Sequence, residues 1–405
     1  MALSKKIVLI REEKTPSDSR VVLTPNQCKE LIDKGYNISV QKSNIRAYKD
    51  EEYQALGVPL IEEIQDQDIF IGVKEVPIDN LIPEKMYFFF SHTIKEQVYN
   101  RQLLQATIKR NIQLIDYEVI TNTKGQRLIA FGKFAGMVGA HNGLWTYGKR
   151  TGIFELPRMH QTKDYETVKE IYKSVDIPNI KITLTGTGRV ANGAALVLND
   201  MGILKVNALD FITKTFNTPV YTQLNSFYYV ERKDGQVFDS AMDFYTNPKE
   251  YKSEFQHFVK NSDIFINGIY WDNDAPPFFT KEDMKSSDFK IKVIADVTCD
   301  IAPVSSIPST LKASTILDPV FGYNPNSEKE DQPYQDNVVD MMTVDNLPNE
   351  LPRDASEAFG DMFIEHVLPQ LGNESSDIIE RATLCKNGEL GKHFQYLKDY
   401  VTIID

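Results

Sequence analysis

The chain is poor in cysteine, has no long apolar run and is short of positive charge, and each shortage removes a class of protein. Three cysteines in 405 residues (Cys28, Cys299, Cys385) are odd in number and far apart. No disulfide framework is expected from them, and a cytoplasmic location is the expectation that follows. No stretch of about 18 consecutive apolar residues occurs, so no helical membrane span is expected. The run Ile7-Val8-Leu9-Ile10 stops at Arg11-Glu12-Glu13, too short for a signal-peptide core and right for a first strand. Lys and Arg total 45 against 57 Asp and Glu, and this net charge of -12 argues against a nucleic-acid surface. His141, His160, His257, His366 and His393 show no metal-ligand spacing, and Cys-x-x-Cys is missing, so no metal is expected. A Gly-x-Ser-x-Gly hydrolase elbow is missing too. There is no internal repeat and no low-complexity tract.

What is present reads as an α/β protein. Its length exceeds what one core usually serves, and a hydrophobic content of 41% supports two substantial cores. Residues 7–10 and 38–40 read as strands. Between them Thr24 starts a helix, with Pro25 as its first residue, Gln27 closing a capping box and Gly35 at its end. Three near-continuous apolar runs follow, at 68–73, 86–90 and 112–117, as expected of parallel strands buried on both faces. Each ends in a titratable side chain, Lys74-Glu75, Ser91-His92 and Glu118. In open α/β sheets, ligands bind outside the carboxyl ends of strands. Residues 130–147 carry a helix linking two domains, after which the strand–helix pattern restarts at Ile180. Further strands are expected at 263–268 and 290–297, and a surface loop at 324–334. A last amphipathic helix over 354–371 presents Phe359, Met362, Phe363 and Val367 at helical spacing and closes at Gly372.

The strand at 182–185 runs directly into Gly186-Thr187-Gly188-Arg189-Val190-Ala191. Two glycines permit a tight turn and let backbone approach a pyrophosphate, while Ala191 and Gly193 keep the next helix close to the sheet. Helix N-terminal amides would then hold the phosphates, and a merely structural strand–helix turn is the alternative. Asp210 lies near the offset where an acidic residue binds the ribose 2′-hydroxyl of NAD, though Ala208-Leu209-Asp210-Phe211 reads equally as an exposed helix start. Arg189, or Arg232 and Lys233, suits a 2′-phosphate instead, so NAD and NADP both stand as cofactors.

Lys74 and His92 are the candidates for the acid–base pair that a dehydrogenase acting on a C–N bond needs, with a satisfied structural histidine and a solvated lysine as the bland alternatives. Histidine titrates near neutrality, and burial brings a lysine into range. Arg20, Lys95 and Arg127 gather positive charge near the same segments, and arginine suits carboxylate recognition. Glu118 orients an ammonium group or pairs with one of these cations. Surface ion pairing is the bland alternative for all four.

These residues sit in recognisable stretches: Arg20-Val21-Val22-Leu23-Thr24-Pro25, Gly72-Val73-Lys74-Glu75, Leu114-Ile115-Asp116-Tyr117-Glu118 and Ile266-Asn267-Gly268-Ile269-Tyr270-Trp271. With residues 89–95, 130–132, 185–188, 345–348 and 355–362, the chain resembles the alanine dehydrogenase/transhydrogenase-like superfamily. Within it, it is most similar to the lysine-forming saccharopine dehydrogenases and lysine–2-oxoglutarate reductases. The resemblance implies two Rossmann-like domains with parallel sheets and a cleft between them, the first domain discontinuous. A substrate domain of 1–135 and 350–405 and a dinucleotide domain of 136–349 are expected. It implies Lys74 and His92 as the catalytic pair, and Arg20, Lys95, Glu118, Arg127 and Phe131 as substrate contacts. Gly186, Gly188, Arg189, Val190, Asp210, Asn267 and Asp296 fall on the cofactor side. The implied reaction is NAD(P)-dependent condensation of lysine and 2-oxoglutarate to saccharopine, or its reverse. At this length the glutamate-forming half of a bifunctional enzyme is not expected, so a separate glutamate-forming saccharopine dehydrogenase is the expected partner. An alanine, other amino-acid or opine dehydrogenase is the alternative, and a catalytically idle dinucleotide sensor is one of another class.

Overall fold

The apolar runs at 69–73, 86–90 and 113–115 are buried almost throughout, and they form the middle of a mostly parallel sheet. The structure is a computed structural model that describes residues 5–238, 240–373 and 375–403. The chain divides into two compact units, Met1–Phe131 with Pro352–Asp405, and Gly132–Leu351.

The first unit begins with β1 (Lys6–Leu9), β2 (Asn37–Gln41), β3 (Leu60–Ile61), β4 (Ile69–Lys74), β5 (Met86–Phe90) and β6 (Gln113–Asp116). The second contains β7 (Lys181–Thr185), β8 (Leu204–Lys205), β9 (Val220–Leu224), β10 (Val230–Arg232), β11 (Tyr251–Ser253) and β12 (Ile264–Asn267). It continues with β13 (Val293–Asp296), β14 (Val320–Asn324), β15 (Lys329–Asp331) and β16 (Val339–Met342). The chain then returns to the first unit for β17 (Thr383–Lys386) and β18 (Glu389–Leu390).

In the first sheet the order is β18-β17-β6-β5-β4-β1-β2-β3, with β17 antiparallel to β6 and β18 antiparallel to β17. Its six parallel strands follow the 3-2-1-4-5-6 order of doubly wound folds, which puts the switch point between β1 and β4. The helix Pro25–Asp33 starts with the expected capping box: Gln27 N donates to Thr24 Oγ1 at 3.3 Å and Thr24 N donates to Gln27 Oε1 at 2.9 Å. The late helix is Pro352–His366, and it lays Phe359 and Phe363 on this sheet against Phe88 and Tyr117. Such aromatic pairs add about 0.5–1.5 kcal/mol each beyond their buried area. It stops short of the expected 371 because Pro369 has no N–H and its ring crowds the preceding turn.

The second unit's large sheet runs β15-β14-β16-β13-β12-β7-β9-β8. Here the expected loop at 324–334 is corrected: residues 329–331 form an exposed edge strand paired antiparallel with β14. Its Lys-Glu-Asp sequence hides the pairing, since an edge strand satisfies backbone groups without apolar side chains. The 20-residue helix Gly132–Thr151 crosses the helix Arg189–Asp200 at very close range. A Cβ on Gly136 would stand 1.7 Å from Val190 O, and one on Gly193 2.0 Å from Lys133 O. Gly193 therefore serves this helix crossing and not the helix–sheet contact expected of it. Among the described residues, no helix is long and apolar enough to cross a membrane, and no group of three or more His, Cys, Asp or Glu is placed to hold a metal ion.

Candidate active site

Strand order brings the titratable residues of the first unit together. β6, β5, β4 and β1 are consecutive neighbours, so Glu118, His92, Lys74 and Glu12 leave four adjacent carboxyl ends. Lys74 is the last residue of β4, where the register with β5 shifts between Ile71 and Lys74. Burial, and then the charge of Arg20, push the Lys74 ammonium below its ordinary range. A lysine so treated has a larger neutral fraction near pH 7, as a proton acceptor requires.

His92 follows β5 with φ of 55° and ψ of 15°, in the left-handed region. That conformation costs a non-glycine residue roughly 1–3 kcal/mol and concentrates at functional sites. Its Nδ1 lies 3.7 Å from Glu118 Oε2, an ion-pair distance, and Arg127 Nη1 lies 4.0 Å from Glu118 Oε1. His92 first, and then Arg127 and Lys95, hold the Glu118 carboxyl below the usual range against the opposing effect of burial. Lys95 is exposed on the short turn after His92. Arg20 is buried: Nε and Nη2 donate to the two Asp18 carboxylate oxygens at 2.9 and 2.6 Å, and its guanidinium lies 4.2 Å from the Phe131 ring centroid. Phe131 in turn stacks on Phe359 at 4.6 Å. Asp18 thus occupies one edge of the arginine that sequence reading assigned to a substrate carboxylate.

Two buried carboxyls that sequence reasoning passed over position these groups. Glu12 Oε1 accepts from Val73 N at 2.6 Å and Oε2 from Lys74 N at 2.9 Å, so the side chain after β1 grips the end of β4. Gly72 makes room, since a Cβ there would stand 2.9 Å from the Ile10 side chain and 3.4 Å from Glu12 Oε1. Burial pushes the Glu12 carboxyl up to about 8. Asp116 is fully buried and accepts from Ser91 N at 3.0 Å, Ser91 Oγ at 2.5 Å and Glu118 N at 2.7 Å. It ties the residue before His92 to Glu118. Glu12 was legible by the strand-end rule applied to β1 itself, while Asp116 was hidden as the last residue of an apolar run. An open cavity of about 880 Å³ lies at the other edge of the sheet, lined by Met86 and Gln113, the first residues of β5 and β6. It contains none of the residues above.

In the second unit the glycine turn follows β7. Gly186 has φ of +102° and a Cβ there would meet Gly268 O at 2.6 Å, so only glycine fits. Gly188 has open space around it and is the N-cap of the helix Arg189–Asp200, with no side chain to cap the first-turn amides. Backbone amides at an uncapped helix N-terminus beside a Cβ-free turn are what a pyrophosphate needs, so these residues fit a dinucleotide. Arg189 is exposed and Val190 half-buried beside this turn. Asn267 and Asp296 are fully buried beneath it. Thr185 Oγ1 donates to Asn267 Oδ1 at 3.0 Å, Asn267 Nδ2 donates to Asp296 Oδ1 at 2.9 Å, and Thr310 Oγ1 donates to Asp296 Oδ2 at 2.6 Å. They brace the ends of β7, β12 and β13, and burial raises the Asp296 carboxyl to about 6. Asp210 is not brought to the turn. It lies in the helix Ala208–Thr213 and pairs with Lys214 at 2.9 Å.

Residues 9–138 match the model of the alanine dehydrogenase/PNT N-terminal domain. Over 93% of its length the chain is 28% identical to the saccharopine dehydrogenase [NAD(+), L-lysine-forming] of Emericella nidulans, covering 95% of that protein. The chain is thus similar along nearly its whole length to the lysine-forming saccharopine dehydrogenases. It is also 30% identical over 97% of its length to the mitochondrial alpha-aminoadipic semialdehyde synthase of Mus musculus. It spans about half the length of the first such relatives, 47% in that case. Among solved structures, L-alanine dehydrogenase superposes with a TM-score of 0.66 at 15% identity, covering 97% of this chain and 99% of that one. A transhydrogenase from Sinorhizobium meliloti does so with 0.57 at 12% identity, covering 95% and 100%. These two likenesses establish the fold: α/β with Rossmann-like, mostly parallel sheets.

Proposed function

We propose that the chain is an NAD(P)-dependent dehydrogenase of the saccharopine type, joining the ε-amine of lysine to 2-oxoglutarate by reductive condensation or running the reverse. The observation that carries this reading is the set of adjacent strand ends bearing Lys74, His92 and Glu118, with Arg127 and Lys95 beside them. The homology to proteins named for this reaction supports it. When bound, the dinucleotide supplies or receives hydride; the protein's own residues do the rest. Lys74, its ammonium destabilised by burial, takes the proton released from the substrate nitrogen. His92, beside the Glu118 carboxylate, gives and takes the proton on the oxygen that leaves as water. Lys95 and Arg127 hold substrate carboxylates by charge.

The second reading, an alanine or other small amino-acid dehydrogenase, keeps the acid–base pair and changes the substrate; the fold shared with L-alanine dehydrogenase favours it. Following NADH and NADPH absorbance with lysine plus 2-oxoglutarate, against pyruvate plus ammonia, separates the two. Consumption with the first pair only is expected, and it should fall by about 100-fold or more in Lys74→Met. Consumption with the second pair only would replace the proposal by the second reading. Binding of dinucleotide without turnover of either pair would leave the idle sensor.

A further inference from the structure

The ribose-reading residue of a dinucleotide fold sits at the carboxyl end of the strand beside the glycine strand. In this chain, sequence order and sheet order disagree about which strand that is. β8 is the next strand after the glycine turn, yet β7 pairs with β9, and β8 lies at the sheet edge beyond it. The backbone of β8 pairs with the first residues of β9, Leu204 opposite Val220 and Lys205 opposite Tyr221, while Lys205 Nζ donates to Gln223 Oε1 at 2.7 Å. The carboxyl end of β9 is what touches the turn. Gly186 N donates to Leu224 O at 2.8 Å, and Gln223 Nε2 donates to Gly186 O at 3.1 Å. The next residue is Asn225, exposed, with its side-chain oxygen accepting from Phe227 N at 3.1 Å. Its amide NH2 remains as a donor group.

Asp210 stands at the other end of the sheet. The carbonyls of Phe211 and Lys214, at the close of its helix, accept from Lys181 Nζ at 2.5 and 2.8 Å, and Lys181 is the first residue of β7. The segment 224–229 that leaves β9 contains neither Asp nor Glu. A carboxylate at this position accepts the 2′-hydroxyl of NAD and repels a 2′-phosphate. An asparagine does not repel, and it offers a donor to phosphate oxygens.

We propose that Asn225 reads the 2′ position of the adenosine ribose, and that the lack of a carboxylate there lets this chain accept the 2′-phosphorylated dinucleotide. This rests on the reading of residues 186–191 as a dinucleotide turn. The test is binding alone: the full chain is titrated with NADPH and with NADH, following nicotinamide fluorescence. NADPH should bind at least as tightly as NADH. Asn225→Asp preserves the acceptor for Phe227 N, so the turn is kept; it should weaken NADPH by about tenfold or more while NADH changes little. Asp210→Asn should leave both affinities unchanged. The proposal is overturned if wild type prefers NADH by about tenfold or more, if Asn225→Asp leaves the ratio of affinities unchanged, or if Asp210→Asn alters it. Failure of both dinucleotides to bind would overturn the dinucleotide reading together with this one.

Discussion

Replacing Asp116 by asparagine tests whether one buried carboxylate holds His92 and Glu118 in place. Asp116 accepts three hydrogen bonds, from Ser91 N, Ser91 Oγ and Glu118 N, at 3.0, 2.5 and 2.7 Å. Asparagine keeps one acceptor oxygen and turns the other into a donor group, so at least one backbone amide loses its partner. An unsatisfied buried donor costs about 1–3 kcal/mol. At roughly 2–4 °C per kcal/mol for a unit of this size, the melting temperature should fall by roughly 2–12 °C. The catalytic effect should be separate and larger. Asp116 is the side chain that links the 91–92 turn to Glu118 N, and displacing a reacting group by about 1 Å costs up to about 100-fold in rate. Ser91→Ala removes a donor that touches the same oxygen, so a double-mutant cycle should show a coupling of about 0.5–3 kcal/mol. Thermal unfolding by circular dichroism, with kcat and KM from cofactor absorbance, reads all three quantities. An Asp116→Asn protein that melts within about 1 °C of wild type and turns over at the same rate refutes the argument.

Two further outcomes follow from the same geometry. Burial raises the Glu12 carboxyl from its ordinary value near 4.5 to about 8, so the stability it contributes is fully present below about pH 4.5 and is lost as pH rises through about 8. Glu12→Gln cannot ionise and should flatten the loss of melting temperature between about pH 5 and 8; equal slopes in both proteins would remove Glu12 as the source. Gly136→Ala drives a Cβ into Val190 O, backbone that cannot swing aside, and should cost about 1–3 kcal/mol or prevent folding. Gly188→Ala meets open space, so it should melt like wild type and weaken dinucleotide binding; a Gly188→Ala protein that is equally destabilised would show that the contrast does not come from the close helix crossing.

Much of the architecture was readable because it depends on local pattern. The buried runs at 69–73 and 86–90, the Thr24–Gln27 capping box and the glycine turn each declare themselves within a few residues. The edge strand at 329–331 did not, because its pairing is carried by backbone alone. Nor did the end of the last helix, although Pro369 carried the signal and the apolar spacing masked it.

By itself the sequence determined the α/β class, the glycine turn and the titratable residues that end three apolar runs. Those follow from periodicity and composition, which each segment holds on its own. Only the tertiary structure decided which strands are neighbours. That order sets Lys74, His92 and Glu118 side by side and brings Glu12 under Lys74 N. It also pairs Gly186 with Leu224, the residue before Asn225, and leaves Asp210 on a separate helix. Counting positions along a chain measures contour, whereas a site is made by what sheet pairing brings within hydrogen-bond reach.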